Sequence, residues 1–304
     1  MAKSSSNPPV SSLPEPHLPE PLPGDSHKGD AGRVLCIAGS TEMPGAAILA
    51  ARAAQRTGAG LVTVVHLWPG TLPIVAGACP EVLHLDVSAK RDLLAGRIPS
   101  ALRNLRHNVR LVGPGLTRSG STRELVHRLL EDQDNTTPLL LDADALGVLS
   151  GHPDLVAKAK CEVILTPHPG EARGLLGEDF GSSDEDRLAA ARRLAEITQA
   201  TVVLKGQRTV VVRGDRSWVC QGGNAGMATA GSGDVLSGII AALLCRCTDD
   251  GNAYGSLDAV CAGVELHARA GDLQRAKLGP ECLIAGDLID GLPGAFREMR
   301  GEGA

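Results

Sequence analysis

Residues 34–66 contain, in order, VLCIAG (34–39), AAILAARAAQRTG (46–58) and LVTVVH (61–66). The first and third segments are short and apolar, with several β-branched residues, whereas the middle one is rich in Ala and has the length of a helix. A strand, a helix and a second strand in this order are typical of a βαβ unit. Because the strands are apolar throughout rather than alternating, we expect helices to cover both faces of a parallel sheet.

The same alternation continues along the chain. Further strands are predicted at 110–113, 138–142, 162–165, 201–205, 208–213 and 217–221, and helices at 121–132, 143–149, 153–159, 170–176, 184–198, 234–246, 255–273 and 285–298. The pattern predicts an α/β protein with three α/β/α layers and a mostly parallel central sheet. No internal repeat or linker divides it.

The N-terminal segment has a different composition. Residues 1–24 hold seven of the 19 prolines, mixed with Ser and Glu. Proline lacks the N–H that helices and strands require, so we expect residues 1–24 to form a disordered or extended leader. Order should begin near Asp25, with a single domain over residues 25–304.

Composition excludes several classes of function. The 304 residues include 30 Lys and Arg against 35 Asp and Glu, which leaves a net charge of −5 and no basic footprint for nucleic acid or a membrane surface. With two Trp, one Tyr and two Phe, base-stacking platforms are scarce. No signal peptide is recognisable, and no apolar run approaches the roughly 20 residues of a membrane span. We expect a cytoplasmic protein.

The eight cysteines contain no CxxC pair of the kind that metal sites use. Most lie in apolar runs, and we interpret them as buried, reduced thiols. Cys245 and Cys247 form a CxC, for which a metal or redox role is the alternative.

Ligands of open α/β sheets bind beyond the carboxyl ends of the strands. Four segments occupy such positions: GSTEMPGA (39–46), GPGL (113–116) with LDADAL (141–146), TPHPGE (166–171) and GNAGMATAGSGDVLSG (223–238). Each is therefore a candidate part of the site.

The last of these segments is the most informative. Its GSGD, residues 231–234, leads directly into an apolar helix, so the N–H groups of Gly231, Ser232 and Gly233 can converge on a phosphate. Asp234 would lie beside that anion and could accept a proton from an attacking hydroxyl. The alternative is a simple helix cap. The chain contains neither GxxxxGK[ST] nor a GxGxxG after its first strand, which excludes the two common phosphate-binding motifs.

Several motifs together resemble one known family. HKGDAGRVLCIAGS (27–40), LDADAL, LTPHPGE (165–171), LKGQRT (204–209) and GNAGMATAGSGDVLSGIIAAL (223–243) occur in the order typical of the NAD(P)H-hydrate dehydratases, which have a ribokinase-like fold. The resemblance extends from about residue 25 to residues 288–293. It implies a repair reaction in which hydrated NADH or NADPH, as the S epimer, is dehydrated with ADP, releasing AMP and phosphate. ATP is the alternative nucleotide.

The resemblance also implies residue roles. Asp234 would be the catalytic base, and Gly231, Ser232 and Gly233 would hold the phosphoryl oxygens. The nucleotide would contact Gly233 and the segment Lys205, Gly206, Gln207, Arg208 and Thr209. The hydrated nicotinamide nucleotide would contact Ala46, Gly115, His168 and Asp234.

Further expectations come from related sugar kinases. Glu171 would orient Mg²⁺ through water, with the phosphates as the metal's main ligands. Asp142 and Asp144 could support the metal or cap the next helix, and we favour the cap for Asp144. His267 and Asp272 match a family helix but are assigned no chemistry.

The family resemblance implies partners as well. It suggests a homotetramer and a functional link to an NAD(P)H-hydrate epimerase; the 24-residue leader is too short to be an epimerase domain, so that partner is expected to be encoded separately. Two other functions remain open. One is a small-molecule kinase of the same fold acting on a vitamin-precursor alcohol, and the other is a nucleotide-binding module without catalysis.

Overall fold

The computed structural model describes residues 11–12, 15–88, 100–247 and 254–302. Within these ranges the strands are β1 (Ser11–Ser12), β2 (Arg33–Ile37), β3 (Leu61–His66), β4 (Leu83–Asp86), β5 (Val109–Val112), β6 (Leu139–Leu141), β7 (Val163–Leu165), β8 (Thr201–Leu204), β9 (Val210–Arg213) and β10 (Arg216–Val219). The helices are α1 (Pro44–Arg56), α2 (Thr71–Ala78), α3 (Ser100–Arg103), α4 (Gly120–Leu130), α5 (Asp144–Gly147), α6 (Pro169–Leu176), α7 (Asp184–Thr198), α8 (Ser232–Leu244), α9 (Ser256–Leu278) and α10 (Ala285–Met299). Short 3₁₀ turns cover Pro153–Lys158, Ala225–Met227 and Pro280–Cys282.

The strands form one mixed sheet in the order β1-β10-β9-β8-β7-β6-β5-β2-β3-β4. From β4 to β8 every pairing is parallel, whereas β9 is antiparallel to both β8 and β10. The carboxyl ends of β2 and of β5 to β8 therefore meet along one edge. Loops that leave these strands converge there.

Alternate residues of each strand enter two separate cores. Val34 and Cys36 of β2 pack with α1, α8, α9 and α10 on one face, and Leu35 and Ile37 pack with α4 to α7 on the other. This explains why the central strands are apolar throughout: helices cover both of their faces. The expected three-layer α/β/α architecture with a mostly parallel sheet is confirmed.

Most predicted elements occur within two or three residues of their expected bounds, and β3 and α7 match them at both ends. The prediction missed the short elements β1 and α3, and it also missed β4 and α2. Both are peripheral: β4 lies at the edge of the sheet with Leu83 half exposed, so it lacks the fully apolar run of the central strands. The expected helix at 153–159 is a 3₁₀ turn.

Part of the N-terminal segment packs on the domain. Residues 15–24 contain no helix or strand, but Leu18 is buried in the core. Arg300 donates to the Pro19 carbonyl at 3.0 Å, and Arg246 donates to the Glu20 carbonyl at 2.9 Å. Packing thus begins before Asp25, and the domain boundary at residue 24 stays a prediction.

The cysteines agree with the expectation of buried thiols except at two positions. Six of the eight are buried, whereas Cys247 is half-buried and Cys282 is exposed. Within the described ranges no group of His, Cys, Asp and Glu forms a metal site, so the CxC pair gains no support as a metal pair. None of the described helices is long and apolar enough to cross a membrane.

The start of α8 is held against α1 by a close approach of the two backbones. A Cβ at Gly238 would lie 2.2 Å from the Ala50 carbonyl oxygen and 2.9 Å from the Ala53 Cβ. Only glycine therefore allows this spacing. By contrast, Gly77 of α2 is exposed and has nothing within 4 Å of the equivalent position.

We predict that Gly238→Ala lowers the free energy of unfolding by about 1–3 kcal/mol, because the new methyl group overpacks the α1–α8 contact. Gly77→Ala is the matched control and should leave stability unchanged or raise it by up to about 1 kcal/mol, because alanine favours the helix. Urea denaturation of both variants measures the difference. Equal effects at the two positions would contradict the close helix contact.

Candidate active site

A cavity of about 660 Å³ lies at the carboxyl edge of the sheet. Its walls come from the loops after β6, β7, β8 and β10, from the start of α8 and from α9. The lining includes nine of the residues predicted from sequence: His168, Glu171, Lys205, Gly206, Gln207, Thr209, Ser232, Gly233 and Asp234. The fold thus gathers segments that are far apart in the chain.

The start of α8 forms the floor of this cavity. Gly231 is the N-cap, with φ +88°, and a Cβ there would lie 2.3 Å from Leu49 Cδ1 of α1. The positive φ favours glycine. Ser232, Gly233 and Asp234 form the first turn. The Ser232 N–H donates to the Thr229 carbonyl at 3.3 Å, whereas the N–H groups of Gly233 and Asp234 have no preceding helical carbonyl. These donors and the helix dipole favour an anion.

A buried ion pair links three elements beside this turn. Lys205 Nζ lies 2.6 Å from Asp142 Oδ1 and 3.8 Å from Glu171 Oε2, and Ser237 Oγ of α8 donates to Asp142 Oδ2. The Lys205 side chain is 17% exposed and that of Asp142 only 1%. Burial opposes the charge on Lys205, but the two carboxylates outweigh it, so the pKa of Lys205 is raised. Lys205 therefore supplies a fixed positive charge.

Asp234 lies within the field of these charges. Burial, and then the nearby Asp142 carboxylate, raise its pKa from 3.8 to about 7, although Lys205 acts in the opposite direction. A carboxyl group with a pKa near neutrality can take up and release a proton at physiological pH. Asp234 therefore has the electrostatics of a general base as well as the position.

His168 and Glu171 form a capping pair at the start of α6. His168 Nδ1 accepts from the backbone N–H groups of Gly170 and Glu171, and Glu171 Oε2 accepts from the His168 N–H at 2.8 Å. Burial, and then Lys205, lower the pKa of His168, which keeps it neutral. Burial raises the pKa of Glu171 against the effect of Lys205. Because Nδ1 accepts hydrogen bonds, the neutral ring carries its proton on Nε2.

The predicted nucleotide segment divides into two parts. Lys205, Gly206, Gln207 and Thr209 line the cavity, but Arg208 is not among the lining residues. Its φ is +57°, and its guanidinium pairs with Asp184 of α7 at 2.7 Å. Arg208 therefore contacts α7 in this structure.

Ala46, Gly115 and Gly231 lie outside the cavity lining. A Cβ at Gly115 would lie 2.8 Å from the Ala46 Cβ, so the start of α1 touches the loop after β5. Gly231 lies between Leu49, one turn further along α1, and Asp234, whose Oδ2 would be 3.8 Å from a Cβ there. Asp234 is thus flanked by the cavity on one side and by α1 on the other.

One minor expectation is wrong. Asp144 was expected to cap the helix that follows it, but it is the first residue of α5, whose N-cap Ala143 makes no side-chain cap bond. Instead, Asp144 Oδ2 accepts from the Thr117 N–H at 2.8 Å. The carboxylate braces the loop after β5.

Two residues of α9 support the site, although no chemistry was assigned to them from sequence. His267 Nε2 lies 3.1 Å from the Ser232 carbonyl, and burial lowers its pKa to about 4, so it is a neutral donor. Asp272 accepts from the Gly223 N–H at 2.9 Å and from Asn224 Nδ2 at 2.8 Å. Their match to a family helix singled out these two residues in the sequence. Their supporting role became visible only from the position of α9 relative to the glycine-rich segment.

Comparison with known proteins finds a matching family model and several similar proteins. Residues 34–293 match the family model described as NAD(P)H-hydrate dehydratase. A Neisseria meningitidis protein named ADP-dependent (S)-NAD(P)H-hydrate dehydratase is 40% identical over 284 residues, 90% of this chain and 88% of its own. A Moorella thermoacetica bifunctional NAD(P)H-hydrate repair enzyme is 39% identical over 283 residues, 91% of this chain and 51% of its own.

A solved structure shares the fold along nearly the whole length. It is the Bacillus subtilis ADP/ATP-dependent NAD(P)H-hydrate dehydratase co-crystallised with ATP and Mg²⁺, with a TM-score of 0.78 and 30% identity over 93% of this chain and 95% of that one. The ribokinase-like fold is confirmed. The chain spans about half the length of the bifunctional relatives it matches.

The raised pKa of Asp234 predicts a pH-dependent effect of Asp234→Asn on stability. In the unfolded chain the carboxyl ionises with a pKa of 3.8 and in the folded protein with one of about 7. The protonated Asp234 carboxyl therefore contributes to the free energy of unfolding fully below pH 3.8, and this contribution is lost as the pH rises through about 7. An amide does not ionise, so the variant should be more stable than the parent at pH 8, by at least about 1 kcal/mol.

Urea unfolding at pH 5 and pH 8 measures this difference, which should shrink at the lower pH. Asp290→Asn, at an exposed position of α10, is the control and should show no such trend. An advantage of equal size at both pH values would exclude a raised pKa at Asp234.

Proposed function

The chain belongs to the NAD(P)H-hydrate dehydratase family, and from this membership we propose that it dehydrates hydrated NADH or NADPH at the expense of an adenine nucleotide. The observation that carries the proposal is the arrangement around α8. A carboxyl group with a pKa of about 7 lies at a helix start suited to phosphate, beside the fixed charge of Lys205. A helix start that only bound phosphate would not need a base beside it.

The proposed reaction begins with transfer of the terminal phosphoryl group. The ring hydroxyl of the hydrate attacks the phosphorus atom, its proton passes to the Asp234 carboxylate, and the bond to the departing nucleotide breaks, so that ADP leaves as AMP. The N–H groups at the start of α8 stabilise the charge on the phosphoryl oxygens. Lys205 lies beside the same turn, since a Cβ at Gly233 would be 3.2 Å from its Nζ.

Elimination completes the dehydration. The carbon–oxygen bond of the phosphate ester breaks, phosphate leaves with the electron pair, and the neighbouring ring carbon loses a proton to form the double bond. Phosphate is a far better leaving group than hydroxide. A kinase-like site thereby performs a net loss of water.

The nucleotide is proposed to lie along the segment after β8. Lys205, Gly206, Gln207 and Thr209 line the cavity, and Gly233 would contact the terminal phosphate. We propose ADP as the co-substrate, in line with the name of the Neisseria meningitidis relative. Arg208 would have to leave Asp184 to reach the nucleotide.

Magnesium would be held chiefly by the phosphates. The described residues contain no three-ligand cluster, and both oxygens of Asp142 are engaged by Lys205 and Ser237. Glu171 Oε1 lies 3.5 Å from His168 Nε2, beyond the length of a good hydrogen bond, so this oxygen fits a role as acceptor for a metal-bound water. Bound there, Mg²⁺ would neutralise phosphate charge.

The hydrated nicotinamide is proposed to bind on the α1 side of Asp234. Ala46 of α1 and Gly115 of the loop after β5 lie in contact there, and Gly231 lies between Leu49 of α1 and Asp234. His168 lies on the cavity side and would contact the substrate through its Nε2–H. These assignments place the acceptor hydroxyl and the nucleotide on opposite sides of one carboxylate.

The wider setting is also a proposal. We propose that residues 25–304 act as one dehydratase domain and that an NAD(P)H-hydrate epimerase supplies the S epimer. The bifunctional names of several relatives support this functional link. A homotetramer stays a prediction.

Turnover of hydrated NADH tests the function. With Mg²⁺ present, recovery of the reduced nicotinamide absorbance should require ADP or ATP, run in parallel, and should release inorganic phosphate. Asp234→Asn should lose about 10²- to 10⁴-fold in rate, because the hydroxyl proton then has no acceptor. Calorimetry should show that the variant still binds nucleotide, and Asp290→Asn should behave like the parent.

Two outcomes would contradict the proposal. If neither nucleotide supports conversion of the hydrate, and a phosphorylated alcohol accumulates with other substrates, the protein is a kinase. Equal nucleotide turnover in the parent and Asp234→Asn would remove Asp234 from the chemistry.

A further inference from the structure

The segment that follows β8 is held from behind by a single buried arginine. Arg187 of α7 is 7% exposed. Its Nη1 donates to the Gln207 carbonyl, and its Nη2 donates to the carbonyls of Leu204 and Lys205 at 3.3 and 3.4 Å. Three of four consecutive carbonyls thus point at one guanidinium.

The fourth carbonyl is held locally. Thr209 Oγ1 donates to the Gly206 carbonyl at 3.0 Å. Gly206 has φ +146°, and a Cβ there would lie 2.9 Å from Arg187 Nη2. The positive φ at 206 therefore favours glycine, and Arg187 packs directly against this position.

This arrangement also determines which groups of the segment point away from Arg187. A peptide unit is planar, with its N–H antiparallel to its C=O. Because the Lys205 carbonyl points at Arg187, the Gly206 N–H points away from Arg187, and Gly206 lines the cavity. The buried positive charge also orients these peptide dipoles with their positive ends away from it, which favours an anion in the cavity.

From these contacts we infer that Arg187 is a positioning residue for nucleotide binding: it holds residues 204–207 so that the Gly206 N–H and the Lys205 side chain face the nucleotide, without touching it. The inference rests on the proposed function, because it takes the cavity to hold an adenine nucleotide. Lysine cannot replace Arg187, since a single ammonium lacks the planar fork that reaches three carbonyls.

Binding of ADP, measured by calorimetry in the presence of Mg²⁺, tests this role separately from turnover. Arg187→Ala should weaken ADP binding about 10- to 100-fold, because the displaced segment no longer presents its donors. Arg187→Lys should weaken it less. Added ethylguanidinium should restore binding to Arg187→Ala in a concentration-dependent way, which a general loss of stability would not permit.

Arg193→Ala is the matched control. Arg193 lies on the same helix but is 58% exposed and pairs with Glu178 at the surface, so its loss should not change ADP affinity. Thermal unfolding checks that each variant is folded. If Arg187→Ala does not fold, Arg187→Lys decides the question.

Some results would overturn the inference. Unchanged ADP affinity in folded Arg187→Ala or Arg187→Lys would do so, as would equal losses in the Arg193 control. A parent protein that binds ADP but does not dehydrate the hydrate would contradict the proposed function and leave the binding measurements as the test of Arg187. A parent that binds no ADP would overturn both.

Discussion

The site depends on the ion pair between Lys205 and Asp142. Asp142 follows β6 and Lys205 follows β8, the two strands on either side of β7. Ser237 donates to the same carboxylate and so links it to α8. The pair therefore fixes the distance between β6, the segment after β8 and the start of α8. A buried charge without its partner is strongly destabilising, so neither member can move alone.

One consequence is the state of Asp234. A single ammonium faces the carboxylates of Asp142, Glu171 and Asp234, and it lies closest to Asp142. Burial and the neighbouring carboxylates raise the pKa of Asp234, and Lys205 does not fully offset them, so this pKa is about 7. The same imbalance costs stability at neutral pH and supplies a proton acceptor. Functional sites commonly combine these two effects.

The site is also supported from behind by residues that do not need to touch a ligand. His267 and Asp272 of α9 hold the carbonyl of Ser232 and the loop at Gly223, and Arg187 of α7 holds the segment after β8. The two helices lie on opposite faces of the sheet. Backbone groups at the sheet edge are thus anchored from both layers, which keeps their donors aligned.

The sequence by itself determined the architecture and the central motif. Apolar strands alternating with helices imply covered faces and a parallel sheet, and the glycine-rich run before α8 implies an anion site with Asp234 beside it. Both conclusions rest on local chemistry: residue type, spacing and the unpaired N–H groups of a helix start. Edge elements such as β4 and α2 were not predicted, because their partial exposure weakens the apolar pattern of the sequence.

Only the tertiary structure decided which distant residues meet. Lys205 and Asp142 are 63 positions apart, and His267 is 35 positions from Ser232, so no local pattern records either contact. The pKa of Asp234, the turn of Arg208 towards Asp184 and the anchoring by Arg187 follow from those contacts. Burial and charge proximity are properties of the folded chain, because the strand order that brings these side chains together is set by packing across the whole sheet.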